Sequence, residues 1–147
     1  MTHGASDAGR SSRWAWTVAC AAVWVTAFTA THIPAEQLRN LPVESDKTLH
    51  FLGYLLLGLL FLGAISSRGR RGARRALTLL VVMTAYAAFD ECTQPLVNRF
   101  AAWGDAWADI LGAIAALGVW QGVAGLRRRT RRSRAETGAE PPVTRRS

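Results

Sequence analysis

The stretch Phe89 to Gly112 reads FDECTQPLVNRFAAWGDAWADILG, and it sets Asp90, Glu91, Gln94, Arg99, Asp105 and Asp109 between two strongly apolar segments. A carboxylate at the edge of a hydrocarbon layer is costly unless it is paired, hydrated or used. Two adjoining segments that carry carboxylates near the same end therefore raise two questions. One is what surrounds them, and the other is which side of a membrane they face.

Working outward, the segment before the stretch is Arg75 to Pro95 and the one after it is Trp103 to Gly125. Pro95 removes a backbone donor and suits a helix end. Two more apolar segments lie upstream, Trp14 to Thr31 and Lys47 to Ser66. At about 1.5 Å per residue, even the shortest nearly crosses a hydrocarbon core of about 30 Å. Trp14 and Trp16, just after Arg13, suit an interfacial aromatic belt. No small-residue cleavage site follows the first segment, so it reads as a span rather than a cleaved signal peptide. Ser45 or Asp46 suits the N-cap of the second.

The expected fold is all-α, a four-helix transmembrane bundle with spans at about 14–31, 47–66, 75–95 and 103–125 in one membrane domain, 14–125. Residues 1–13 and the Arg-rich segment 126–147 read as disordered tails, too polar to bury a core.

The chain has 147 residues, a formal charge of +8, and half of its residues hydrophobic. Of its 18 Lys and Arg, only Arg39, Lys47 and Arg99 fall in the connections before span two and after span three. The rest lie in the N-terminal tail, in the loop from Arg68 to Arg75, and in the C-terminal tail. The positive-inside bias then puts both termini and the middle loop in the cytoplasm. The basic tail also suits contact with anionic lipid headgroups. Nucleic acid is not an expected partner, because the arginines flank apolar segments and no base-reading fold is visible. Cys20 and Cys92 sit at different depths and read as free, buried thiols.

This topology gathers the polar residues at the outer level. Asp46, His50 and Tyr54 are spaced i, i+4, i+8 and stack on one helix face. Glu91 and Gln94 are i, i+3, and Asp105 and Asp109 are i, i+4. Glu91 is preferred to Asp90, which lies about 100° around the helix. Ala108, Gly112 and Ala116, the Gly118/Gly122 pair, and Gly53, Gly58 and Gly63 suit close helix packing. The bland alternative is a polar cap, with Arg99 and Lys47 paired to Glu91, Asp105 or Asp46.

Several chemistries can be weighed. His50, Glu91 and Asp109 include ligand types for a metal, but no metal-binding motif is present, and neither metal nor cofactor is expected. His50 and Glu91 suit an acid–base pair. Lys47, His50 and Arg99 suit contact with an anion, with Glu91 and Asp109 for protonation or pairing and Gln94 and Tyr54 to orient them.

The segment DKTLHFLGYLLLG, through Asp46, Lys47, His50, Phe51, Tyr54, Leu57 and Gly58, resembles the opening motif of VanZ-like bacterial membrane proteins. Glu91, Gln94, Arg99, Asp105 and Gly112 match that family's second motif, with Asp109 where many members carry Asn. The resemblance covers about Asp46 to Ala116. It implies a small multi-pass protein of the bacterial inner membrane and a role in the cell envelope, the family being linked to glycopeptide (teicoplanin) resistance. The leading expectation is an outward-facing pocket that binds, or helps move, a lipid-linked or glycan anion. An outer-leaflet enzyme and a non-catalytic scaffold subunit are the alternatives, and the balance leans away from catalysis. A bundle this small could require a second copy to line a path.

Overall fold

The computed structural model describes residues 3–38 and 43–137. Four α-helices account for most of them: α1 (His3–Thr31), α2 (Val43–Ser67), α3 (Gly72–Thr93) and α4 (Trp103–Thr137). Short 3-10 turns over Ala35–Leu38 and Gln94–Val97 lie in the connections. No strand occurs among the described residues. Each helix carries a stretch long and apolar enough to span a membrane: Arg13–Thr31, Asp46–Ser67, Gly72–Val97 and Trp103–Ala135.

Helix α2 is the centre of the bundle and packs against the other three, most extensively against α4. Tyr54, Leu57, Leu62 and Ile65 of α2 are buried against Leu79, Met83 and Tyr86 of α3, Ala113 and Ala116 of α4, and Cys20 of α1. Small residues set the α2–α4 distance. A Cβ on Gly112 would strike the Phe51 carbonyl oxygen, and one on Gly58 would lie 2.8 Å from the Ala116 Cβ. In hydrocarbon, where apolar burial gives little net drive, such close backbone contact is what holds helices together. Gly63 does the same for α1, because the Trp16 ring lies over it.

The outward faces are apolar. Val18 and Val25, Leu49, Leu52 and Leu56, Leu77 and Val81, and Leu111 and Ile114 are all exposed. A face of this kind on every helix is what a lipid surround requires.

The elements depart from the sequence expectations in several places. Helix α1 begins at His3 and α4 continues to Thr137, so helix occupies much of what read as disordered tails. Once a span has formed, each added residue costs no new nucleation, and Ala and Arg are good helix formers. Helix α2 starts at Val43, which puts Ser45 and Asp46 inside its first turn rather than at its cap. Its other end is closed by Gly69 at φ 87°, with the Arg70 N–H bonded to the Ile65 carbonyl, a left-handed termination that glycine adopts without strain. Gly53, Gly118 and Gly122 meet no atom within 4 Å of a built Cβ, so they pack nothing among the described residues. Trp16 does not serve the expected belt alone; it also stands edge-on to Trp120, 6.4 Å between ring centroids. Cys20 is buried, but Cys92 is exposed. Arg39, Pro42 and residues 138–147 of the expected tail lie outside the described residues.

Candidate functional site

The C-terminal ends of α1 and α3 and the N-terminal ends of α2 and α4 meet at one end of the bundle. The turn after α3 organises this end. Gln94–Val97 forms a 3-10 turn with Pro95 near its start, and Asn98 adopts a left-handed conformation at φ 57°. The Arg99 N–H then bonds back to the Gln94 carbonyl. This folds the chain over the helix ends and carries the Arg99 guanidinium inward. It donates to the Thr31 carbonyl of α1 at 3.0 Å and to Asp46 Oδ2 of α2 at 2.9 Å.

Beneath Arg99, His50 of α2 and Asp109 of α4 are joined at 2.9 Å, Nδ1 to Oδ1. The other ring nitrogen, Nε2, lies 4.0 Å from Asp46 Oδ1 on the preceding turn. His50 thus has a carboxylate on each side. Asp105 is buried one turn above Asp109 and shares the Asp46–His50 level.

Asp90 and Glu91 divide between neighbours. Glu91 Oε2 accepts the Ala102 backbone N–H at 2.7 Å, just before α4 begins. Asp90 turns instead to α1, where Thr31 Oγ1 donates to Oδ1 at 2.8 Å and His32 Nδ1 lies 3.7 Å away. His32 Nε2 is 2.9 Å from Thr93 Oγ1. Gln94 spans the two carboxylates, its Nε2 at 3.4 Å from Asp90 Oδ2 and 3.5 Å from Glu91 Oε1.

The preference for Glu91 therefore needs one correction. Asp90 is not the lesser of the pair, because it is fully buried and ties α3 to α1. The two carboxylates do point apart, as their angular separation implies, and only Gln94 touches both. What that separation does not reveal is that each finds its own partner on a different segment. Thr31, His32 and Thr93 were also missed. Their signal was the polar pair Thr31–His32 where the first span ends, at the same level as the other polar residues.

The remaining candidate residues are placed as follows. Tyr54 is buried, stacked on Tyr86 at 5.6 Å between centroids, with its hydroxyl turned to the Asp109 carboxylate. Gln94 Oε1 is buried without a hydrogen-bond partner. Lys47 stays outside this group. It is exposed, and its side chain crosses Gly104 at the start of α4.

Two grooves reach the cluster from the sides. One, of about 330 Å³, runs between α1 and α2 along Val23, Ala27, Leu49, Gly53 and Leu56 and ends on Asp46, His50 and Arg99. The other, of about 360 Å³, runs between α3 and α4 along Thr84, Ala88, Cys92, Pro95, Trp103 and Ile110, with Glu91 partway along its wall. The cluster lies between them. The α1–α2 groove is apolar along its length and polar at one end, the shape that suits an amphiphile lying alongside the helices, whereas the α3–α4 groove is apolar almost throughout.

A family model described as VanZ/LLP1 matches residues 10–124, which takes in most of α1, all of α2 and α3, and α4 to Ala124. No curated protein and no solved structure matches the chain. Four helices long and apolar enough to span a membrane, and a family match over most of the chain, establish it as a multi-pass membrane protein of the VanZ/LLP1 family.

Proposed function

We propose that the protein binds an amphiphile with an anionic head, in the class of a lipid-linked phosphate or glycan, at the outer face of a bacterial inner membrane. The carrying observation is the α1–α2 groove, whose apolar walls end on Arg99, His50 and Asp46. A chain lying in that groove would bring its head against the Arg99–Asp46 pair. An anion there competes with Asp46 for a guanidinium suited to forked contact with phosphate. Exposed Lys47 adds positive charge near the same end. The outward orientation is supported by the crowd of arginines at Arg68–Arg75 and beyond Leu126, at the end of the bundle away from the cluster. A role in envelope function, including glycopeptide resistance, is consistent with this reading.

The test is lipid occupancy. The protein extracted in nanodiscs should retain a phosphate-bearing lipid, detected by native mass spectrometry. Arg99→Gln should lose it while eluting as the same species. Equal retention by both forms would defeat the proposal.

The His50–Asp109 contact favours a second reading, an enzyme acting on the bound head. A carboxylate holding one imidazole nitrogen leaves the other free to take a proton. Here the pair is His50 with Asp109, rather than His50 with Glu91. Incubation of liposome-reconstituted protein with a labelled lipid-linked phosphate distinguishes the two, since catalysis changes the label's chemistry and binding or transport only its place.

A further inference from the structure

We infer that His50, Glu91 and Asp109 form a binding site for one divalent transition-metal ion, of the Zn²⁺ or Mn²⁺ class. One donor atom from each lies within 4.8 Å of the other two, and all three residues are buried. Ligand atoms at about 2.0–2.2 Å from a shared ion stand roughly 3–4 Å apart. The triad therefore needs only a small closure, and the His50–Asp109 pair is already at 2.9 Å.

Charge supports the assignment independently. Among the described residues, five carboxylates gather around the cluster: Asp46, Asp90, Glu91, Asp105 and Asp109. Arg99 is committed to Asp46, and the Asp90 side chain is held by Thr31 and Gln94, with His32 close by. Glu91 and Asp109 have no Lys or Arg partner within ion-pair distance among the described residues. Buried carboxylates in a low-dielectric layer are found paired or coordinating an ion. Two carboxylates match the charge of one divalent ion.

An unsatisfied atom points to the same place. Gln94 Oε1 is fully buried without a hydrogen-bond partner, and its amide already lies against Glu91. The Asp109 carboxylate meets His50 and the Tyr54 hydroxyl, with no Lys or Arg beside it among the described residues. One imidazole nitrogen with two carboxylates favours Zn²⁺ or Mn²⁺ over Mg²⁺ or Ca²⁺, which prefer all-oxygen shells. A second triad, Asp46, His50 and Asp105, shares the histidine, but there Arg99 already neutralises Asp46. The inner triad is therefore the one assigned.

The site lies between the two grooves and meets the proposed one only through His50, and the inference does not require that an amphiphile be bound there. Its test reads metal alone. The full chain, purified without a histidine tag and stripped with chelator, is titrated with Mn²⁺ and followed by electron paramagnetic resonance. The expected result is saturable uptake of one Mn²⁺ per chain, displaced by Zn²⁺, with coupling from an imidazole nitrogen that disappears in His50→Gln. Glu91→Gln and Asp109→Asn should each weaken uptake by at least about tenfold, since even outer supporting partners are worth that much. Gly118→Ala, which faces open space, should bind as wild type does. Absence of saturable uptake or of nitrogen coupling in the wild-type chain overturns the inference whatever the variants do. Uptake that survives both carboxylate substitutions overturns it as well. Lipid retention, measured separately, decides the amphiphile proposal.

Discussion

His50 Nδ1 and Asp109 Oδ1 stand 2.9 Å apart, although 59 residues separate them in the chain. This contact joins α2 to α4 at the level where all four helices present polar groups. Removing one partner leaves the other buried and unpaired, which costs about 3–5 kcal/mol where desolvation is complete. Asp109→Ala should therefore lower the midpoint of detergent-induced unfolding strongly, and Asp109→Asn much less, because the amide can still bond the imidazole. A double-mutant cycle of His50→Ala and Asp109→Ala should give a coupling of about 1–3 kcal/mol. Simple additivity would show that the contact carries no energy.

Arg99 holds α1 and α2 together through Thr31 and Asp46. Asp46 is partly exposed, so water screens the pair and its loss in Arg99→Gln should cost about 1 kcal/mol or less. The larger effect should be local. Amide exchange around Thr31 and in the connection over Gln94–Arg99 should quicken, while exchange at Leu57 to Leu62 stays slow.

Gly112 and Gly118 offer a paired test of packing. Gly112→Ala drives a methyl into the Phe51 carbonyl, a backbone group that cannot swing aside. The α2–α4 interface should open at a cost of about 1–3 kcal/mol. Gly118→Ala meets nothing and should be neutral or slightly stabilising, since Ala is the better helix former. Equal thermal midpoints for the two variants would refute the close approach at Gly112.

Cys92 and Cys20 differ in access. Cys92 lines the α3–α4 groove, whereas Cys20 is buried in the core. A membrane-permeant maleimide should label Cys92 rapidly and Cys20 only after unfolding, as read by mass spectrometry of the intact chain. An amphiphile resident in that groove should slow the first reaction.

The spans were legible because each is a long apolar run between charged or Pro-containing connections. Thr31 as the end of α1 and Trp103 as the start of α4 could be read directly from the sequence. The opposite ends of α1 and α4, at His3 and Thr137, could not, because composition distinguishes lipid-compatible from water-compatible residues and says little about helix in water. Within the site, the i, i+4 spacing of Asp46 and His50 was enough by itself to put both on one helix face. The partners across helices were harder. Nothing local to Asp90 reveals Thr31, and nothing local to Glu91 reveals the Ala102 N–H. Those pairings arise from how far α1 and the turn at Asn98 reach, which is set by tertiary packing. The same holds for Arg99, which could have paired with Glu91 or Asp105 by sequence distance but meets Asp46.

The Glu91–Ala102 bond has a consequence for how the molecule is built during synthesis. The α3–α4 hairpin satisfies much of its own polarity, through Glu91 with Ala102, Gln94 with Asp90, and the Arg99 N–H with the Gln94 carbonyl. The first two helices emerge earlier and carry Thr31, Asp46 and His50, whose partners have not yet been made. Until the hairpin docks, the partners these groups meet on α3 and α4 are absent, and only water or headgroups at the membrane edge can take their place. The site is therefore complete only when all four helices are assembled.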